Sequence, residues 1–275
     1  MEATFAVDHI VNGVLEDVAV REAQVSFKEV KARSRAMDAP RDVCAALVRT
    51  GCSVITEIKR ATPIQGPVTE LVGPDAVAAM ARNLEASGVH LMAVQTEARR
   101  FRGSLDDMQA AREATAVPMI CRDIIVDPYQ IHEARCYGAD MVPLQVELLD
   151  NARMAALLDR IESLGMTALA EVRTPEEADR ALKVGAKVIG VNAWSLASDT
   201  INRDAFHDIV PGLPTEVLRI AVGGVANPRN VLAFASAGAD AVLIGQSVMS
   251  TADPAAATRR FVAAGQHPAC PSRKH

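Results

Sequence analysis

Eight short apolar runs, spaced along the chain and separated by amphipathic stretches, constrain the fold most. They occupy residues 52–58, 91–96, 117–121, 141–146, 167–172, 187–192, 218–222 and 241–245. Near-continuous apolar runs of this length are the pattern of parallel strands buried on both faces. Helical patterns fill the intervals at 75–87, 105–113, 128–137, 151–164, 175–184 and 228–237. Asp127-Pro128, Thr174-Pro175 and Asn227-Pro228 each put a capping side chain before a proline suited to a first helical turn. Gly88, Gly138, Gly165, Gly185 and Gly238 suit the left-handed position after a helix. Alternation of eight strands with helices predicts an α/β fold, a closed (β/α)8 TIM barrel, formed by 1–275 as one domain. An open doubly wound sheet is the competing architecture, but no G-x-G-x-x-G follows the first strand. Residues 1–50 read as a helical N-terminal extension covering part of the barrel, and 266–275 as a flexible tail.

Composition narrows the function. Hydrophobic residues make up 49% of the 275 and aromatics only 3%, so the core is aliphatic. A net charge of −5 with no long basic run argues against nucleic acid and anionic membrane surfaces. Arg99, Arg100 and Arg102 read as a solvated loop. No apolar stretch approaches the roughly 18 residues a membrane span needs, and the N-terminus lacks a signal-peptide pattern; a cytoplasmic protein is expected. Five scattered cysteines do not suggest a disulfide framework. Cys52 and Cys121 read as buried fillers, and His132 as a surface or half-buried helix residue. Neither a metal nor an organic cofactor is implied.

Catalytic groups of such barrels cluster at the C-terminal ends of the strands. The first strand ends Glu57-Ile58-Lys59, and alternation points Glu57 and Lys59 the same way, as an acid–base pair or a structural ion pair. The third is followed by Arg122. Glu171 is the only charge in the fifth run, a setting for a general acid or base or for a structural partner of Lys59. The sixth ends Asn192-Ala-Trp194, which offers a donor to a substrate oxygen and the chain's single tryptophan as a rim or ligand-ring contact. The last two end in Gly223-Gly224 and Gly245-Gln246-Ser247. Glycines there let backbone amides approach an anion, so a sugar-phosphate substrate is expected.

These motifs resemble indole-3-glycerol phosphate synthase, most strongly over 54–66, 96–104, 122–140, 170–181 and 238–249. The resemblance implies a lyase that closes an indole ring from 1-(2-carboxyphenylamino)-1-deoxyribulose 5-phosphate with loss of carbon dioxide and water. It implies catalytic roles for Lys59, Glu57, Glu171 and Asn192, with Arg122 at the position of the family's general-acid lysine. It implies substrate contacts from Thr62, Trp194, Gly223, Gly224, Gly245, Gln246 and Ser247. Four positions depart from the family pattern. Arg122 stands for a lysine, Trp194 for an arginine, and Val222 and Gly223 for a glutamate and a serine. Arginine keeps the charge but is a poor proton donor near neutrality. Two alternatives therefore stay open: a divergent paralogue acting on a related arylamino sugar phosphate, with or without decarboxylation, and a non-catalytic phosphate-binding protein.

Overall fold

The computed structural model describes residues 2–63 and 65–271. Three helices precede the barrel: α1 (Glu2–Gln24), α2 (Phe27–Arg35) and α3 (Val43–Leu47). The first barrel strand, β1 (Ser53–Ile58), is followed by a two-stranded hairpin, β2 (Ala61–Thr62) with β3 (Gly66–Pro67), and by α4 (Gly73–Ala86). The second to fifth units are β4 (Leu91–Gln95) with α5 (Leu105–Ala114), β5 (Met119–Arg122) with α6 (Pro128–Cys136), β6 (Met141–Gln145) with α7 (Asn151–Ser163), and β7 (Thr167–Val172) with α8 (Pro175–Lys183). The last three are β8 (Val188–Asn192) with α9 (Ala205–Ile209), β9 (Leu218–Val222) with α10 (Pro228–Ser236), and β10 (Ala241–Ile244) with α11 (Gln246–Met249) and α12 (Pro254–Gly265).

The eight long strands close in the order β1-β10-β9-β8-β7-β6-β5-β4, every pairing parallel. Closure excludes the open doubly wound alternative. The predicted strands lie within two residues of the observed ones. The side chains of Asp127, Thr174 and Asn227 accept from the backbone N–H groups of Tyr129, Glu177 and Arg229. All five post-helix glycines have positive φ; a Cβ on Gly138 would come within 2.5 Å of the Arg112 side chain.

Residues of one parity point into the barrel. Ile55, Ile120, Met141, Leu169, Val188, Ile220 and Leu243 pack there as a single cluster. Val43 and Leu47 of α3 join that cluster, so the extension plugs the N-terminal end of the barrel. The long helix α1 instead lies outside, where Arg21 pairs with Glu133 of α6 at 3.0 Å and Asp17 pairs with Arg99 at 2.6 Å. Arg99 is thus a half-solvated ion-pair partner, consistent with a surface loop.

Two expectations need correction. Cys270 is buried, and the backbone N–H of Cys52 donates to Gly265, so the chain packs against the first strand through 270. The expected loose end therefore does not begin at 266, and residues 272–275 lie outside the described ones. His132 is not a surface residue but is fully buried. Its Nδ1 lies 2.7 Å from the Ser34 hydroxyl of α2, and Phe27 meets its ring edge-on. The α2 helix covers the α6 face that an isolated barrel would leave to water. Cys52 and Cys121 are buried as expected.

Burial, aided by Arg160, Lys31 and Arg35, pushes His132 down to about 4. The folded state therefore resists protonating a ring that an unfolded chain protonates near 6.5. The stability tied to the neutral ring is complete above pH 6.5 and lost as pH falls from there towards 4. Denaturant unfolding across that interval should show the wild type losing stability more steeply than His132→Gln, which keeps a polar partner for Ser34 but does not titrate. Parallel curves would show that His132 does not govern the acid limb.

Candidate active site

Above the last apolar layer the inward-facing positions turn polar. Glu57, Gln95, Arg122, Gln145, Glu171 and Asn192 come from six strands, and Lys59 follows the first. They floor a cavity of about 560 Å³ at the C-terminal mouth, a size suited to a small-molecule substrate. Thr62, Trp194, Gly223, Gly224, Gly245, Gln246 and Ser247 also line it. Every residue selected from the sequence thus meets at one site.

The charged groups form one chain across the floor. Lys59 Nζ lies 2.7 Å from Glu57 Oε2. Glu57 Oε1 lies 3.7 Å from Arg122 Nε and accepts from Gln95 Nε2 at 3.4 Å. Arg122 Nη1 donates to Glu171 Oε1, and Asn192 Nδ2 donates to Glu171 Oε2 at 3.1 Å. Lys59 and Glu57 do point the same way, but the partner of Glu171 is Arg122, not Lys59. Two cations and two carboxylates balance, which makes their burial tolerable. Burial alone would lower the Arg122 value, but Glu171 and Glu57 outweigh it and hold the guanidinium charged.

The backbone is shaped around this chain. A Cβ on Gly245 would lie 2.6 Å from Glu57 Oε2 and 2.7 Å from Lys59 Cε, so only glycine leaves the ion pair its space. Gly223 and Gly224, with φ of 78° and 73°, turn their loop through conformations that glycine adopts without strain. Ser247 Oγ donates to the Val225 carbonyl at 2.8 Å, tying the seventh and eighth loops together. Gln246 Nε2 donates to Gln65 Oε1 beside the hairpin, which sequence reading did not anticipate.

The rim is aromatic. Trp194 Nε1 donates to Asp199 Oδ1 at 2.8 Å, and its ring meets Phe101 edge-to-face with centroids 6.0 Å apart. Phe101 in turn lies 5.8 Å from Lys59 Nζ, in cation–π range. Asp123, also in the wall, is pushed up to about 6 by burial, although the Thr96 hydroxyl and the Ile124 N–H donate to it. Phe101, Asp123, Gln95 and Gln145 were missed in the sequence. The two glutamines were accessible to the same two-residue alternation that singled out Glu57.

A family model described as "Indole-3-glycerol phosphate synthase" matches residues 7–261. The chain belongs to the indole-3-glycerol phosphate synthase family. It is 52% identical over 264 residues to a protein of that name from Mycobacterium leprae, covering 96% of each chain. It is 50% identical to one from Saccharopolyspora erythraea, over 96% of this chain and 97% of the relative. Among solved structures, an N-acetylmannosamine-6-phosphate 2-epimerase from Clostridium perfringens superposes with a TM-score of 0.59 at 17% identity, covering 82% of this chain and 98% of that one; this likeness concerns the fold alone. Family membership and the closed barrel agree with the fold and enzyme type expected from the sequence. No helix among the described residues is long and apolar enough to cross a membrane.

Proposed function

We propose that this protein is a carboxy-lyase of the indole-3-glycerol phosphate synthase type, acting in the cytoplasm on an arylamino-deoxyribulose 5-phosphate. Supporting this most directly is the continuous Lys59–Glu57–Arg122–Glu171–Asn192 chain facing the glycine loops. A phosphate-binding protein without chemistry has little use for two desolvated carboxylates and two cations on its cavity floor. The substrate's phosphate sits at the loops bearing Gly223, Gly224, Gly245, Gln246 and Ser247, where backbone amides and the absence of side chains admit an anion. Thr62 closes the same end from the hairpin.

The ring carbon bearing the carboxylate attacks the ketone carbon as the ketone oxygen takes a proton. The bond to the carboxylate then breaks, releasing carbon dioxide and returning its electron pair to the ring. Finally the new hydroxyl leaves as water while the ring system loses a proton, completing the indole. Lys59 is the proton donor to the ketone oxygen, because Arg122 keeps its proton near neutrality. Arg122 instead holds Glu171 and supplies fixed positive charge to the developing alkoxide. Glu171 carries the proton in the dehydration, oriented by Arg122 and Asn192. Glu57 positions the Lys59 ammonium. Trp194 and Phe101 wall the aryl end.

Mixing the purified protein with 1-(2-carboxyphenylamino)-1-deoxyribulose 5-phosphate should yield indole fluorescence and carbon dioxide in equal amounts. Binding without either product would overturn the lyase reading for that substrate. Arg122→Lys should raise kcat about tenfold or more, since a second ammonium restores a proton donor at that position. An unchanged or lower kcat would mean that the guanidinium itself is suited to this protein's reaction.

A further inference from the structure

Three cations line the cavity among the described residues: Lys59, Arg122 and Arg203. The first two are engaged on the floor, Lys59 with Glu57 and Arg122 with Glu171. Arg203 is exposed, and its side chain makes no ion pair or hydrogen bond with any described residue. The acids nearby do not claim it. Asp123, the third acid of the wall, accepts from the Thr96 hydroxyl and the Ile124 N–H. Asp199, in the same loop as Arg203, accepts from Trp194 Nε1. An arginine on a cavity wall without a carboxylate partner is a cation open to an anionic ligand.

The loop after β8 is folded so that this arginine returns to the strand ends. Trp194 and Ile201 form an antiparallel bridge, and the Ser195 N–H donates to the Thr200 carbonyl at 2.9 Å. Residues 194–201 therefore run out and come back. The Asn202 N–H then donates to the Ala193 carbonyl at 2.7 Å, and the Ala193 N–H to the Val222 carbonyl at 3.1 Å. Hydrogen-bonded backbones lie about 4.8 Å apart, so these two steps set residue 202 about 10 Å from Val222, the residue before Gly223 and Gly224. Asn202 Oδ1 accepts from the Asp204 N–H at 3.0 Å, which fixes the turn that carries Arg203. A second cavity of about 230 Å³ lies between α9 and α10. Arg203 lines both cavities together with Ala193, Val222, Gly223 and Gly224, so it borders the glycine loop.

We propose that Arg203 is a substrate-binding residue whose guanidinium grips the phosphate held at the glycine loops. A phosphate monoester carries about −1.5 to −2 charge near neutrality. The loops meet it with backbone amides and the uncharged side chains of Gln246 and Ser247. Arg203 adds a full positive charge there, and its planar fork can donate two N–H groups to two phosphate oxygens. The proposal rests on the lyase reading above for the position of the phosphate, and adds to it the residue that supplies the counter-charge. A contact to the phosphate lies away from the reacting ring and ketone carbons. It acts equally on ground and transition states, and its loss appears in KM rather than in kcat.

The test compares the wild type with Arg203→Gln and Arg203→Lys. Both variants should melt with the wild type, since Arg203 holds no partner in the fold. Arg203→Gln should raise KM for 1-(2-carboxyphenylamino)-1-deoxyribulose 5-phosphate by about tenfold or more, and should weaken competitive inhibition by inorganic phosphate by a similar factor. Arg203→Lys, which keeps the charge but not the fork, should recover part of both. An unchanged KM would overturn the proposal while leaving the lyase reading intact. So would a raised KM with phosphate inhibition unmoved, which would put Arg203 on the substrate's carboxylate instead. If the wild type turns over nothing, the lyase reading fails and calorimetric titration with inorganic phosphate decides the proposal. Binding weakened about tenfold in Arg203→Gln would sustain it; binding equal in the two proteins, or absent from both, would overturn it.

Discussion

Lys59→Ala is expected to lower kcat by about 10²–10⁴-fold, the usual contribution of a positioned general acid. Lys59 is the only lysine among the described residues of the cavity wall. The other cation on the floor, Arg122, is held charged by two carboxylates and does not surrender a proton near neutrality. The family's pattern distributes acid chemistry over two lysines. In the mechanism proposed for this chain, Lys59 alone is left to protonate the ketone oxygen. Removing it leaves Glu57 with Gln95 and Arg122 as partners, so the fold should survive and the loss should appear in kcat rather than in unfolding. Steady-state kinetics beside a thermal melt would separate the two. A kcat within tenfold of wild type, in a variant of normal stability, would mean that the proton reaches the substrate from another group.

Much of this site was legible in the chain before its coordinates. Period-two alternation within short strands places Glu57 and Glu171 on the barrel's inner face, and the glycines at 223, 224 and 245 mark loops that line the cavity. The same alternation applied to Leu91–Gln95 and Met141–Gln145 also reaches Gln95 and Gln145, but glutamine at a strand end reads equally well as the start of a loop. Pairing was less legible. Nothing local indicates that Glu171 turns to Arg122 rather than Lys59, because that choice depends on the stagger of strands 49 residues apart. The buried state of His132 was hidden for a related reason. Its helix, α6, has little amphipathic contrast because α2 covers the face that would otherwise be polar. Contacts made by the extension preceding a barrel do not follow from the barrel's own periodicity.

Glu171→Gln is expected to act on both activity and stability, and the two effects have different origins. In the proposed mechanism Glu171 moves the proton in dehydration, so losing its carboxylate should lower kcat by about 10²–10⁴-fold. The substitution also removes one of the two anions that balance Arg122 and Lys59, leaving a net positive charge on the cavity floor. Breaking a buried pair by removing one partner costs about 3–5 kcal/mol; glutamine retains an oxygen for Arg122 and a contact for Asn192, so the lower end, about 3 kcal/mol, is expected. Adding Arg122→Met to Glu171→Gln should then recover part of the lost stability, because it removes the uncompensated cation, without recovering turnover. Denaturant titrations of both variants would measure the first effect and single-turnover assays the second. A double variant no more stable than Glu171→Gln would show that Arg122 is balanced by Glu57 alone. The Arg122–Glu171 contact would then serve to hold the catalytic carboxylate in place rather than to neutralise charge.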